Sequence, residues 1–495
     1  MNKRFRVCDL NQPFLLPPSL QDWLPENHLA RFVGDVSNEL DLSGVYAEYE
    51  RNDGRGLSAY HPLLLTRLLL YGYSIGMTSS RAIEKATYDS LAFRYLAADQ
   101  HPDHDTIASF RQQHLEALAS LFLQALRLCH AAGLVKLGNV ALDGTKMLAN
   151  ASTHRSVTHQ QLKEREQHWK GAVARLLAEA EQTDRLEDQQ FGAGQKNDPL
   201  PVELAHAQSR LRRIQQAKAE LEKEAQEKLE SLNQEQVWRK PGRPRKEEQS
   251  SHLPRDPQER DKEKKRRRRA RRNAAGPTRQ YNFVDPDSRV MRDNARKCFV
   301  QAYNAQIAVD THQQIIVAAE VTQQVTDREQ LLPMVESIRT STQAVPDVLV
   351  ADAGYWDTAS LRRVEKRGVR VLISPDSEVQ AADVPLPLTV PKNEEAMRMR
   401  QLLLSPAGKM LYRLRQATVE PIFGYIKEAR GLRRFRFRGL TRVQCEWKLI
   451  CATHNLLKLF RHRTALITAE LSDRPPHLIF DCLIPHVSSH FGTPV

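Results

Sequence analysis

Aromatic residues are scarce: Phe, Trp and Tyr make up 6% of the 495 residues, whereas charged residues make up 27%. That balance points to long solvated helices beside whatever core the chain buries. Cysteine is also sparse and unpatterned. Cys8, Cys129, Cys298, Cys445, Cys451 and Cys482 include no CxxC pair, so zinc-ligand spacing is excluded and no disulfide framework is expected. The N-terminus carries no secretory signal, which reads as reduced thiols in a cytosolic protein. No apolar run approaches the ~18 residues that span a bilayer, so no membrane partner is expected. Acidic charge is in deficit, with a formal net charge of +13. Most of the surplus is local, because Arg239 to Arg279 hold 17 Lys/Arg against 6 Asp/Glu. No amphipathic or lipidation signal accompanies that block, which favours nucleic acid as its partner over a membrane surface or a solvated spacer.

The length allows about three domains. Residues 1–136 read as helical. Pro62 opens a helix carrying Leu63, Leu64, Leu65, Leu68, Leu69 and Leu70, Gly72 and Gly76 punctuate it, and Thr78-Ser79-Ser80 can cap a second helix near Arg81. A third helix starts around Asp105-Thr106. This pattern fits a helix-turn-helix with Ser79 to Tyr88 as reader, and a plain helical bundle fits it equally. From 151 to 238, apolar residues at Leu162, Trp169, Val173 and Leu176, then at Leu204, Ala207, Leu211, Ile214 and Leu221, follow threes, fours and sevens. Two amphipathic helices around the Gly/Pro-rich stretch 192–201 predict a helical hairpin insertion, serving as spacer, dimerisation arm or DNA bridge. The basic linker 239–279 follows. Its Gly242-Arg243-Pro244-Arg245 resembles an AT-hook, whose arginines enter a narrow A·T minor groove. The run Lys262 to Arg272 is expected to be disordered until it meets phosphate.

Strands are expected at Val140–Leu142, at Asn304–Asp310 and Gln314–Val321 as a hairpin, at Val348–Ala351 and at Val369–Ser374. Helices are expected over Asp327–Ser341 and Thr358–Lys366. The alternation argues for an α/β domain with a mixed sheet, discontinuous over 137–150 and 280–465, and a tail from 466 to 495. Asp143 and Asp352 end apolar runs, each followed by a glycine that lets the backbone turn away. Glu420 lies in the helical stretch Thr418–Lys427. Two carboxylates at strand ends and a third on a covering helix can hold a pair of divalent cations for phosphodiester chemistry, Mg²⁺ by preference and Mn²⁺ as substitute. Singly, each has an ordinary reading, as turn-former or helix-surface residue. Asp310 reads as a turn-former. Lys427, seven residues after Glu420, is expected on the same helix face. Arg430, Arg433, Arg434, Arg436 and Arg438, interleaved with Phe435 and Phe437, make a phosphate-tracking surface, or equally a strand with Phe inward.

These motifs together resemble the bacterial insertion-sequence transposases of the DDE class. The stretch Ser58 to Arg111 is similar to their InsH-like N-terminal domain. Leu142-Asp143-Gly144-Thr145-Lys146, Val350-Ala351-Asp352-Ala353-Gly354-Tyr355 and Val419-Glu420-Pro421 through Lys427 resemble their three acidic motifs. The resemblance implies an RNase H-like mixed sheet with flanking helices and an all-α N-terminal domain that recognises element ends, Arg81 included. It implies catalysis by Asp143, Asp352 and Glu420 with two Mg²⁺, DNA strand cleavage and strand transfer, a homodimer on double-stranded DNA, and location at the bacterial nucleoid. Two departures stand out. The family's Arg, four residues before the Glu, falls on Gln416, while Tyr412 and Arg415 lie one residue further off. The β-rich insertion of better-known relatives is absent before Glu420; the insertion here follows Asp143 and is helical. An RNase H-like nuclease without strand transfer and a non-enzymatic DNA-bridging protein are the alternatives.

Overall fold

The structure is a computed structural model that describes residues 19–50, 59–191, 202–237, 280–293, 297–375 and 394–472. Its central strand is β1 (Asn139–Leu148). The helical hairpin inserted after it brings β2 (Ser156–Thr158) against β3 (Gln280–Asn282) as a small antiparallel pair. In the main sheet, β1 pairs antiparallel with β5 (Cys298–Asp310) and parallel with β7 (Val348–Ala351). Beyond β7 lies β8 (Arg370–Ile373), again parallel. The far edge of β5 carries β4 (Arg289–Asp293) along one half and β6 (Ile315–Thr322) along the other. The order β6-β5-β1-β7-β8, antiparallel then parallel, is the mixed sheet expected of an RNase H-like domain.

Strand alternation distributes the core. Val140 and Leu142 enter the apolar cluster of α11 (Leu331–Thr342) and α12 (Thr358–Glu365). Ala141 and Met147 enter the cluster shared with α15 (Leu440–Ser472). There Trp447 is fully buried and its indole N–H donates to Gln306 O at 3.1 Å, which fixes α15 across β5. Asn455 fixes the same helix to β6, accepting from Ile316 N and donating to Ile316 O at 2.9 Å each.

Among the described residues, eight helices run from α1 (Leu20–Trp23) to α8 (Leu115–Ala131). They are less separate from the sheet than the boundary near 136 suggests. Leu64, Leu65, Leu68, Leu69 and Leu70 of α4 (Pro62–Ile75) share one cluster with Trp447 and Ile450 of α15. Gly76 ends α4 in the left-handed region (φ 86°), and a Cβ there would lie 2.0 Å from Arg430 O. Buried Tyr73 donates from its hydroxyl to Glu446 Oε1 at 3.2 Å, and Glu446 Oε2 accepts from the backbone N–H groups of Arg436 and Phe437.

The predicted hairpin is present as α9 (His159–Phe191) and α10 (Val202–Val237). His159 meets Glu222, Glu166 meets Lys218 and Trp169 meets Arg210, so partner numbers fall as the chain advances, the mark of an antiparallel pair. The hairpin has its own small core of Val157, Leu162, Ile214, Ala217, Leu221 and Tyr281. Its connecting residues 192–201, the basic linker with Arg243 and Arg245, and the tail beyond 472 lie outside the described residues.

Candidate active site

Asp143 sits within β1 rather than at its end. The strand runs on to Leu148 paired with β5, while the pairing with β7 stops at Leu142–Ala351. The carboxylate therefore stands where the parallel neighbour gives out, beside Asp352, which follows β7 directly. The expected turn at Gly144 does not occur. Glycine is required there for another reason: a Cβ would lie 2.2 Å from Gln306 Nε2 and 2.7 Å from Asp327 Oδ1.

Asp143 Oδ1 accepts from Gly144 N at 2.8 Å and Oδ2 accepts from Arg415 Nη1 at 3.2 Å. Burial, then the charge of Asp352, push the Asp143 carboxyl up to about 7, against the pull of Arg415. Asp352 is raised too, by burial first and Asp327 next; its Oδ1 accepts from Gly354 N at 3.0 Å. These are hard oxygen donors holding more negative charge than the protein around them neutralises, the chemistry that a hard divalent cation suits. Arg415, its side chain 5% exposed, reaches Asp143 from α14 (Pro406–Gly424) with Tyr412 beneath its guanidinium at 5.6 Å. The helix thus brings Arg415 to the site despite the one-residue shift in its motif.

Asp327 escaped the sequence reading, which places it at the start of a helix. The helix α11 begins at Leu331, and Asp327 lies in the preceding loop with Oδ1 accepting from Asn304 Nδ2 and Gln306 Nε2, both at 2.6 Å. The alternating polar pair Asn304 and Gln306 on an otherwise apolar strand was the available signal, because buried amides need a partner. Asp310, read as a turn-former, accepts from His312 N at 2.8 Å and from Lys136 N and Leu137 N at 2.7 Å each.

Glu420 is exposed on α14, which packs on β1 and β7. The charges weighing most on Asp143 are Asp352, Arg415 and Asp327, and Glu420 is not among them. Among the described residues, no three His, Cys, Asp or Glu side chains stand close enough to hold a metal ion. The aspartates fit a cation in this structure; Glu420 does not complete their set as it stands.

Pro421 interrupts the helix between Glu420 and Lys427. Lacking an N–H, it leaves the Ala417 carbonyl without its helical donor, and Gln314 Nε2 bonds that oxygen at 3.2 Å instead. The helix then widens into a π segment, Tyr425–Ala429, which changes its phase. Lys427 turns onto β1, donating to Thr145 Oγ1 at 2.5 Å and Lys146 O at 3.0 Å.

Arg430 is also corrected. It is 4% exposed, with Nη2 donating to Tyr73 O and Thr453 Oγ1 at 2.6 Å each. It ties α4 to α15 and faces no solvent from which DNA could approach. Arg433, Arg434, Arg436 and Arg438 are exposed, while Phe435 and Phe437 point inward. The chain runs extended beside the end of β1 there, with Phe435 N bonded to Leu148 O at 2.9 Å. Arg434 donates to Ala149 O at 3.3 Å, Arg436 to Thr78 Oγ1 and Arg438 to Asn150 O at 3.0 Å each, so the stripe is moored along the strand that bears Asp143. Arg81 is exposed on α5 (Ser80–Asp89).

No helix among the described residues is long and apolar enough to cross a membrane. Residues 278–456 match the family model described as Transposase DDE domain, and residues 18–113 match that described as Transposase domain (DUF772). No curated protein and no solved structure matches the chain. The first match holds Asp352, Glu420 and Asp327 but stops short of Asp143, which the pairing of β1 with β5 and β7 supplies. Two transposase domain models thus match the one chain, which is consistent with an insertion-sequence transposase of the DDE class.

Proposed function

We propose that this transposase binds the ends of its element and carries out metal-dependent DNA strand cleavage followed by strand transfer, with Asp143, Asp352 and Glu420 as catalytic residues. The observation that carries the reading is the Asp143–Asp352 pair, two half-buried carboxylates at the edge where β1 outruns β7, each raised by desolvation and by neighbouring carboxylates. Two Mg²⁺ (or Mn²⁺) held by this pair and by Glu420 would make water, and then a freed 3′-hydroxyl, a nucleophile and would neutralise the leaving oxygen. Asp143 gives up its proton near neutral pH to become a ligand, and Arg415 holds the carboxylate in place. Glu420 has to come toward the aspartates, a shift that DNA seated on α14 and the π segment can drive.

Arg433, Arg434, Arg436 and Arg438 follow the phosphate backbone, with Lys427 of the π segment bonded to the same strand, β1. Arg81 on α5 takes DNA at the element end, and Arg243 and Arg245 of the basic linker take it in the minor groove. A homodimer assembled on two ends of double-stranded DNA accounts for joining both ends in one complex.

Asp352→Asn is the test. Binding to a duplex from the flanks of the reading frame is expected to persist in the variant, and Mg²⁺-dependent nicking and strand transfer to a plasmid target are expected to disappear. Nicking at the wild-type rate in the variant sinks the assignment.

A further inference from the structure

Lys146 stands three residues past Asp143 on β1. The register sets Lys146 opposite Asn304 and Gly144 opposite Gln306, so these four residues share the sheet face that carries Asp327. The Lys146 side chain is 20% exposed, and its ammonium lies 3.9 Å from Asp327 Oδ1. That distance is an ion pair without a hydrogen bond. Asp352 and Asp143 act on the same ammonium from further away.

Asp327 is itself held firmly. Its Oδ1 takes the amide N–H groups of Asn304 and Gln306, and Gln306 Oε1 accepts from the buried Tyr355 hydroxyl. Gly144 leaves room for this arrangement. Three side chains and a glycine therefore fix one carboxylate beside one loosely paired ammonium, at the edge where the reacting strand would enter. Burying a lysine this far is costly unless opposite charge answers it, and an ammonium held loosely by Asp327, with Asp352 and Asp143 further off, is ready to exchange for a stronger partner. Lys427 is differently placed: its ammonium donates to Thr145 Oγ1 and to the Lys146 carbonyl.

We propose that Lys146 is a DNA-contacting residue of the site, its ammonium taking a phosphate oxygen of the reacting strand, with Asp327 as the positioning residue that keeps it at the entrance. The inference rests on the transposase reading above. When phosphate enters, the 3.9 Å pair gives way to a charge-assisted hydrogen bond of about 2.8 Å.

The test measures binding of a fluorescent duplex from the flanks of the reading frame, with Ca²⁺ in place of Mg²⁺, over a series of salt concentrations. Lys146→Met is expected to bind about tenfold more weakly, with a plot of log affinity against log salt shallower by about 0.9, the signature of one lost phosphate contact. Lys146→Arg should restore most of both. Asp327→Asn should weaken binding less, and the double variant Lys146→Met/Asp327→Asn should bind no worse than Lys146→Met alone, because the carboxylate acts through the lysine. Should Lys146→Met fail to melt cooperatively, Lys146→Gln takes its place in the same series. Unchanged affinity and slope in the neutral variant overturn the proposal. Wild-type nicking of the same duplex in Mg²⁺ runs alongside. Nicking with an unchanged Lys146 variant overturns this inference alone, and no nicking at all overturns the reading beneath it as well.

Discussion

Asp143 shows how much of the site's behaviour is set by one carboxyl group. An unperturbed aspartate titrates near 4, and burial with Asp352 alongside moves Asp143 up to about 7. The folded protein therefore holds this proton more tightly than the unfolded chain does. By linkage, the contribution of Asp143 to stability is complete below about pH 4 and is lost as pH rises toward 7. In the absence of divalent ions, the melting temperature of wild type should fall over pH 4–7 more than that of Asp143→Asn. A cation must displace the same proton, so calorimetric Mn²⁺ affinity should climb between pH 5 and 7 and level off above. An affinity independent of pH in that window removes Asp143 from the ligand set. The acid itself was legible, since an Asp closing an apolar run and followed by Gly-Thr-Lys marks a strand residue with polar work. The role of Gly144 was not. A glycine after an acid signals a turn in sequence, and only the side chains arriving from β5 and the 323–330 loop reveal that it makes space. Arg430 misled in the opposite sense: its neighbours alternate Arg and Phe, but Arg430 precedes that alternation and sits where α4 meets α15.

Between elements, contacts far apart in sequence decide the geometry. Strands and helices of the sheet were readable because their apolar runs are short, β-branched and separated by turn residues. The order of the strands was not, since it rests on backbone pairing across 130 residues or more, as in Met147 with Tyr303. The π segment after α14 was hidden for a related reason: Pro421 has no N–H for the Ala417 carbonyl, and Gln314 from the β5–β6 turn donates to it instead. The junction between α4 and the π segment is a further case, because Gly76 has both a positive φ and the Arg430 backbone against it. Gly76→Ala adds left-handed strain of about 1 kcal/mol and sets a Cβ 2.0 Å from a carbonyl oxygen, which backbone must move to relieve. The variant is expected to lose at least about 2 kcal/mol of stability in a urea titration, with DNA end binding falling in parallel as Arg436 loses its hold on Thr78. A Gly76→Ala midpoint equal to that of wild type would mean the junction is softer than its contacts suggest.

Across the whole molecule, the apolar clusters divide the chain differently from its sequence segments. The N-terminal helices and one face of the sheet form a single cluster, with α4 and α8 each packed on α15. The described N-terminal helices are thus half of a core, not a body set apart from the sheet. The hairpin of α9 and α10 buries its apolar residues mainly against itself and the β2–β3 pair, anchored by Tyr281 on Glu220 at 2.7 Å and Arg289 on Glu224 at 3.0 Å. An arm with its own core can carry DNA or a second subunit without disturbing the acids, although it leaves β1 within twenty residues of Asp143. Two truncations separate these roles. Replacing 163–234 by a short flexible linker should leave a cooperative melt within about 5 °C of the parent, because the two main clusters lose none of their members. Removing 1–136 should leave a chain that aggregates, since Ile450, Trp447 and their neighbours would be bared to water as a large apolar face. A soluble, cooperatively melting 137–495 fragment would show that the N-terminal helices are an appended reader after all, and the contacts of Tyr73 with Glu446 and of Gly76 with Arg430 would then have to be counted as docking between two independently stable bodies.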